Sequence, residues 1–210
     1  AFKQLGRTLA DLRLFPQTLL FLVAFLLFND GIQAAIAFSA TYGSEELELE
    51  EQTLILAILV VQLVAFFGAL LLGRIARTQG AKKTILGSLV VWTIVVFYAA
   101  VIPAGAVGLF FVLAVAIGIV LGGSQALSRS LFSQFIPVGR EAEYFGLYEI
   151  SDRATSFVGS LMITLTLQIT GSYRLAILGL VVFFVIGFLV LSRVDVPRGM
   201  AWPLPIVRAV

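Results

Sequence analysis

Six long apolar stretches, separated by short charged segments, dominate the pattern of hydrophobic and polar positions. Each holds about 20 mostly apolar residues, which is the length that an α-helix needs to cross the hydrocarbon core of a bilayer. We call the predicted helices spans 1 to 6. They cover residues 16–40, 53–75, 84–102, 107–131, 143–169 and 173–192. The pattern therefore predicts an all-α integral membrane protein with six transmembrane helices forming one bundle.

Composition supports a membrane protein and excludes several kinds of site. The chain is 60% hydrophobic and 12% charged, against about 25% charged residues in a soluble domain. It has no cysteine and no histidine, so disulfides, thiolate chemistry and imidazole ligands are excluded. The basic residues form no continuous patch with interleaved aromatics, so we expect no nucleic-acid partner. No enzyme motif, metal site or cofactor is expected.

Charge in the loops predicts the orientation and the domain limits. Almost all loop lysines and arginines lie on the side of the two termini, and only Arg174 lies on the other side, which carries the acidic run of residues 45–51. The positive-inside rule then places both termini in the cytoplasm. We expect a linker or interfacial helix at residues 1–15, a transmembrane domain at 16–196 and a cytoplasmic tail at 197–210.

Polar side chains are concentrated in four of the six spans. They are Asn29, Asp30, Gln33, Gln62, Ser124, Gln125, Ser128, Glu149, Asp152 and Arg153. Polar groups are costly in lipid, so spans 1, 2, 4 and 5 should line an interior. Spans 3 and 6, whose interiors have no ionisable residue, should face lipid.

A short basic segment joins spans 2 and 3. From Gly73 to Lys83 it reads Gly-Arg-Ile-Ala-Arg-Thr-Gln-Gly-Ala-Lys-Lys. It resembles the loop signature of the major facilitator superfamily, Gly-x-x-x-Asp-Arg/Lys-x-Gly followed by basic residues, except that Arg77 replaces the Asp. Gly73 would permit close helix approach and Gly80 a turn with positive φ. We predict a gating loop that includes these residues with Lys82 and Lys83. An ordinary basic loop that fixes topology is the alternative.

Three further segments carry a longer resemblance. They begin at Phe28, Gly122 and Gly139 and read FNDGIQ, GGSQALSRSLFSQ and GREAEYFGLYEISDR. Together they resemble the second, C-terminal half of vacuole-effluxer-type facilitators, a branch named for an autophagy-related amino-acid exporter of fungal vacuoles. The resemblance implies that spans 1 to 6 correspond to helices 7 to 12 of a twelve-helix transporter. Facilitators build their solute site between two such halves. The expected partners are therefore lipid, a small polar solute and a second six-helix half, in the same polypeptide, a homodimer or another membrane subunit.

Span 5 places Glu149, Asp152 and Arg153 within five positions of a membrane-spanning segment. Each such charge near a helix centre costs roughly 2.5–3.5 kcal/mol, so the cluster needs partners, water or a function. Spacings of three and four put them on one face, where Glu149 could pair with Arg153. In one hypothesis Arg153 binds a substrate carboxylate or phosphate while Glu149 or Asp152 carries a coupling proton. In the other, the cluster is a salt-bridge network at a cytoplasmic gate that never touches solute.

Asp30 lies about 21 Å into span 1 and past the membrane midplane, at 1.5 Å per residue. It is a candidate proton site, and Asn29 beside it is a candidate for solute contact in a locally irregular helix. The alternative for Asp30 is a hydrogen-bonded residue of helix packing. Gln33, Gln62 and Gln125 are candidate cavity-lining residues, although interhelical hydrogen bonding uses the same residue type.

These patterns predict half of a secondary active transporter that works by alternating access. Its expected solute is small and polar, such as an amino acid, with a proton as the candidate coupling ion. A bacterial inner membrane is the expected location. The alternative is a non-transporting, facilitator-like scaffold subunit of a larger membrane complex, which the replacement of the loop Asp by Arg77 would suit.

Overall fold

A computed structural model describes residues 15–136, 139–155 and 157–197, the side chains of 151–155 excepted. Within these ranges the chain forms helices and no strands. The helices are α1 (Pro16–Glu45), α2 (Glu51–Gln79), α3 (Ala81–Val101), α4 (Val107–Ser133), α5 (Glu141–Thr155), α6 (Val158–Thr170), α7 (Tyr173–Leu178) and α8 (Val181–Ser192). The predicted all-α membrane fold is confirmed. The predicted linker at 1–15 and tail at 197–210 lie, apart from Phe15 and Pro197, outside the described residues.

Five helical segments of the described chain are long and apolar enough to cross a membrane: α1, α2, α3, α4, and α7 together with α8. Span 5 is different, because two helices replace the single one predicted at 143–169. The first, α5, carries several acids, whereas the apolar part, α6, has only 13 residues. A polar first half cannot continue as a lipid-facing helix, so the apolar stretch is shorter than the sequence pattern indicated.

Hydrogen bonds tie the helix ends together on both faces of the bundle. On the terminal face, which holds the start of α1 and the end of α8, Lys82 Nζ donates to the carbonyls of Ser192 at 2.8 Å and Val194 at 2.7 Å. On the opposite face, Arg174 pairs with Glu46 at 2.6 Å and also donates to the carbonyl of Ile102 at 3.1 Å. The last carbonyls of a helix lack intrahelical partners, so Lys82 caps α8 and Arg174 caps α3.

Replacing Lys82 with methionine should lower the unfolding free energy by about 1 kcal/mol, because two carbonyls at the end of α8 lose a cationic donor. Lys83→Met is the matched control, since Lys83 is exposed and its side chain makes no hydrogen bond within the described part of the chain. Thermal unfolding in detergent measures both variants. Equal midpoints would show that the cap contributes nothing.

Glycines bring α2 and α4 into backbone contact. A Cβ added at Gly68 would lie 2.3 Å from the carbonyl oxygen of Ile119, and one at Gly122 would lie 2.0 Å from that of Ala65. Gly118 is similarly close to Val61 and Val64. The glycines of α4 therefore serve close helix packing, because small residues at such interfaces let membrane helices approach.

The outer surface of the bundle is largely apolar. Helix α2 contributes Gln62 to a cavity between the helices, and it also exposes a broad apolar face that includes Leu59, Leu63 and Phe66. Helix α3 buries Trp92 fully and exposes Ile94 on its other side. The number of polar residues in a span therefore does not predict how much of the helix is buried. One face of an apolar helix can pack in the core of the bundle while the opposite face lies on the outer surface.

Candidate functional site

Two neighbouring cavities lie between the helices of the bundle. The polar cavity, of about 310 Å³, lies between α1, α4 and α5, and its lining includes Asn29, Gln33, Gln125 and Arg129. The apolar cavity, of about 360 Å³, is lined mainly by aliphatic side chains of α1 to α4, together with Gln33, Gln62 and Gln125. Both volumes fall in the range of small-molecule sites, about 300–1,000 Å³.

Gln33 and Gln125 line both cavities and so mark their junction. Along α1 the polar cavity reaches back to Phe25, toward the terminal face, and the apolar cavity extends to Tyr42, near the opposite face. The two cavities therefore follow each other along the bundle axis. Their junction presents amide groups, which can donate and accept hydrogen bonds.

An ion pair stands beside the polar cavity. Arg129, in the last turns of α4, binds Glu149 of α5 with 2.6 Å between Nη2 and Oε1. Their side chains are 61% and 44% exposed, respectively. Exposed ion pairs contribute little net free energy because water and competing ions screen them. The pair can therefore be opened by a charged solute at small cost.

Aromatic packing fixes the helices that carry the pair. Tyr148, the neighbour of Glu149, stacks on Phe25 of α1 with ring centroids 4.3 Å apart and lies 4.9 Å from the ring of Phe132 of α4. Large rings in contact have few alternative packings, so α5 is held firmly against α1 and α4 at this level.

Arg129 lines the polar cavity but is not among the candidate site residues predicted from the sequence, where it contributes only to the positive charge of the terminal face. A signal was present. Gly122, Gln125, Ala126 and Arg129 are spaced by three and four residues, which places them on one face of α4, and all four line the polar cavity. Reading that face as a whole would have included Arg129 among the candidates.

The predicted residues of spans 1 and 5 separate in the structure. Asn29 is 3% exposed and lines the polar cavity. Glu149 has Arg129 as its described partner, where the sequence suggested Arg153. The side chains of Asp152 and Arg153 lie outside the described residues.

Asp30 is not in the lining of any cavity described here. It is 2% exposed, and its Oδ2 accepts a hydrogen bond from the backbone N–H of Gly159 at 2.8 Å. Its other oxygen, Oδ1, has no hydrogen-bond partner within the described part of the chain. The contact with Gly159 therefore supports the alternative role of Asp30, a hydrogen-bonded residue of helix packing.

The predicted gating loop lines a third cavity, of about 650 Å³, on the terminal face; Gly73, Arg77, Gly80, Lys82 and Lys83 all contribute to it. Gly80 has φ +88°, which confirms the predicted turn. A Cβ at Gly73 would meet no atom within 4 Å, so the predicted close helix approach there is wrong. The close contact of α2 occurs at Gly68 instead, against the backbone of Ile119 in α4.

Metal chemistry has no candidate site among the residues that the structure describes, where no group of three acidic, histidine or cysteine side chains could hold an ion.

Comparison with known proteins identifies the kind of molecule. Residues 1–202 match the family described as "Vacuole effluxer Atg22 like". An uncharacterized MFS-type transporter, YxiO, of Bacillus subtilis is 34% identical over 194 residues, which cover 92% of this chain and 45% of the relative. Autophagy-related protein 22 of Cryptococcus neoformans var. neoformans is 30% identical over 215 residues, covering 95% of this chain and 39% of the relative. Autophagy-related protein 22-1 of Aspergillus niger is 31% identical over 212 residues, covering 95% and 34%.

The chain thus spans less than half the length of these relatives. The match nevertheless extends over nearly all of its own sequence, and it agrees with a bundle of apolar helices that has a polar cavity between them. The prediction of a transporter rather than an enzyme is confirmed at the level of the family. The chain belongs to the vacuole effluxer Atg22-like family of major-facilitator-type membrane transporters.

Proposed function

We propose that this chain is the C-terminal half of a secondary transporter that moves a small polar solute, such as an amino acid, by alternating access. The observation that carries the proposal is the pair of cavities that meet at Gln33 and Gln125, with Arg129 at the polar end. The two cavities form a route along the bundle axis, with a charged side chain at one end and two side-chain amides in the middle. Such a route suits a small solute that carries charge at one end.

The Arg129–Glu149 pair supplies the recognition chemistry. The guanidinium of Arg129 can bind a carboxylate through two parallel hydrogen bonds, and the carboxylate of Glu149 can accept from an ammonium group. A zwitterionic solute carries both charges, so it can replace the contact between the two residues without leaving a charge unpaired. Binding would exchange one exposed ion pair for two, so opening the original pair would not oppose it.

Proton coupling, the finer part of the proposal, is assigned to the carboxylates of α5. Glu149 is 44% exposed beside the polar cavity, so water can reach its carboxylate. Asp152 follows three residues later on the same helix. Protonation of Glu149 would release Arg129, which would link proton binding to the state of the solute site.

A second six-helix half is part of the proposal. The apolar face of α2, with Leu63 64% exposed, needs lipid or protein to cover it. A facilitator half is expected to close its cavities against the other half. The excess of lysine and arginine on the terminal face supports the proposal that the termini are cytoplasmic, and a bacterial inner membrane is the proposed location.

A scaffold subunit is the second candidate, and Arg77 in place of the loop Asp is the observation that favours it. An Asp there would pair with a cation, whereas Arg77 lines a cavity beside Lys82 and Lys83. A six-helix half that no longer changes conformation could retain the fold without the ion pair that an Asp would make at this position.

Counterflow in proteoliposomes tests the proposal with the native polypeptide that contains this chain. Vesicles loaded with unlabelled amino acids should accumulate labelled leucine or alanine, and an imposed pH gradient should change the rate. The length of the native reading frame is determined at the same time. Twelve helices with solute exchange support the transporter. Six helices that purify with other membrane subunits, and no exchange of any amino acid tested, support the scaffold.

A further inference from the structure

The carboxylate of Asp30 lies at the first turn of α6. Helix α6 begins at Val158, and its N-cap residue, Phe157, makes no side-chain capping hydrogen bond. The first N–H groups of a helix have no intrahelical acceptor, so in a membrane they need one from elsewhere. Asp30 Oδ2 provides it for Gly159 at 2.8 Å, from a different helix.

The contact between α1 and α6 is close at this point. A Cβ added at Gly159 would lie 2.7 Å from Cβ of Ala34 and 3.1 Å from the carbonyl oxygen of Asp30. Asp30 and Ala34 are one helical turn apart, so together they bracket Gly159. A glycine is required here because any side chain would push α6 away from α1 and out of hydrogen-bond range.

We propose that Asp30 is a positioning residue, which caps α6 from α1 and so fixes the start of α6 against α1. The position of α6 matters, given the function proposed above, because α5 precedes it in the chain, carries Glu149 and must keep it within reach of Arg129 on α4. Asp30 acts through α6 and not on the solute, since it is 2% exposed and lies outside the cavity linings. The partial positive charge of a helix N-terminus also explains how an acid is accommodated there.

Two substitutions at Asp30 separate capping from proton transfer. Asp30→Asn keeps an oxygen acceptor for the Gly159 N–H but cannot carry a proton, so transport should stay within about threefold of wild type. Asp30→Leu removes the acceptor and should lower transport by about tenfold. If Asp30 were the coupling site, both variants would lose pH-driven transport.

The close contact provides a second, independent pair of variants. Gly159→Ala should lower transport as Asp30→Leu does, because the new methyl group meets Ala34. Adding Ala34→Gly removes the atom that it meets and should restore most of the activity. This rescue would not occur if Gly159→Ala acted only by disturbing helix α6 itself.

Spin labels measure the distance between α5 and α6 independently of any transport assay. The chain has no cysteine, so labels can be attached to Ile150→Cys on α5 and Leu165→Cys on α6, both at exposed positions. A narrow distance distribution is expected for wild type, Asp30→Asn and the Ala34→Gly/Gly159→Ala pair, and a broad one for Asp30→Leu and Gly159→Ala.

An unchanged distribution in Asp30→Leu would overturn the proposal. So would loss of transport in Asp30→Asn with its distribution intact, since only the titratable group is then missing. If the wild-type protein moves no solute, the distributions still decide the capping role, and only the proposed transport fails.

Discussion

Gly68→Ala should lower the unfolding free energy by about 3 kcal/mol, because the added methyl group overpacks the contact between two helices. The added Cβ would lie 2.3 Å from the carbonyl oxygen and 2.7 Å from Cα of Ile119, and neither atom can rotate away. Helices α2 and α4 would have to separate along their shared surface. Thermal unfolding in detergent, followed by circular dichroism, measures the change.

Gly87→Ala is the matched control. Gly87 lies inside α3, where a Cβ would meet no atom within 4 Å. Alanine there should leave the protein unchanged or more stable by up to about 1 kcal/mol, because it favours a helix more than glycine does. Similar destabilisation by both alanines would refute the packing role of Gly68, since helix propensity alone acts in the opposite direction.

Arg129→Gln should reduce transport efficiency by about 100-fold, because a carboxylate of the solute loses its cationic partner and Glu149 is left with an uncompensated charge. Initial uptake rates in proteoliposomes measure the loss. Arg193→Gln is the control: Arg193 is also an exposed arginine of the terminal face, but it lines none of the cavities described.

Exchanging the two charges distinguishes a solute site from a gate. The double variant Arg129→Glu with Glu149→Arg restores an ion pair between α4 and α5 but reverses the positions of its charges. A pair that only holds the helices together should work again in this variant. A pair that orients a zwitterion should not. Recovery of transport would therefore assign the pair to the gate, as in the alternative hypothesis for span 5.

The extent of the apolar stretches is enough to predict most of the fold. Spans 1 to 4 and 6 coincide closely with helical segments able to cross a membrane. The reason is that a membrane-spanning helix requires only about 20 consecutive apolar residues, which can be read directly from the sequence. The glycines of α4 and the turn at Gly80 were also predictable, since each is a local backbone property. Gly68 was not singled out, because its importance depends on Ile119 of another helix.

The candidate site was predictable only in part. Residue type pointed to Asn29, Gln33 and Gln125, and these line the polar cavity. Residue type also pointed to Asp30, which instead binds Gly159. In the sequence, Arg129 reads as one of the basic charges that set the membrane topology, but in the structure it lines the polar cavity and pairs with Glu149. A polar residue in a membrane helix must have a partner, but the sequence does not say which.

By itself, the sequence determined that this chain crosses a membrane as a helical bundle, that its polar groups are concentrated in a few helices, and that it is related to facilitator transporters. The tertiary structure alone decided which polar groups meet: Arg129 with Glu149, Asp30 with the start of α6, and Lys82 with the end of α8. The physical reason is that hydropathy acts on each segment separately, whereas ion pairs and helix caps join residues that are up to 129 positions apart.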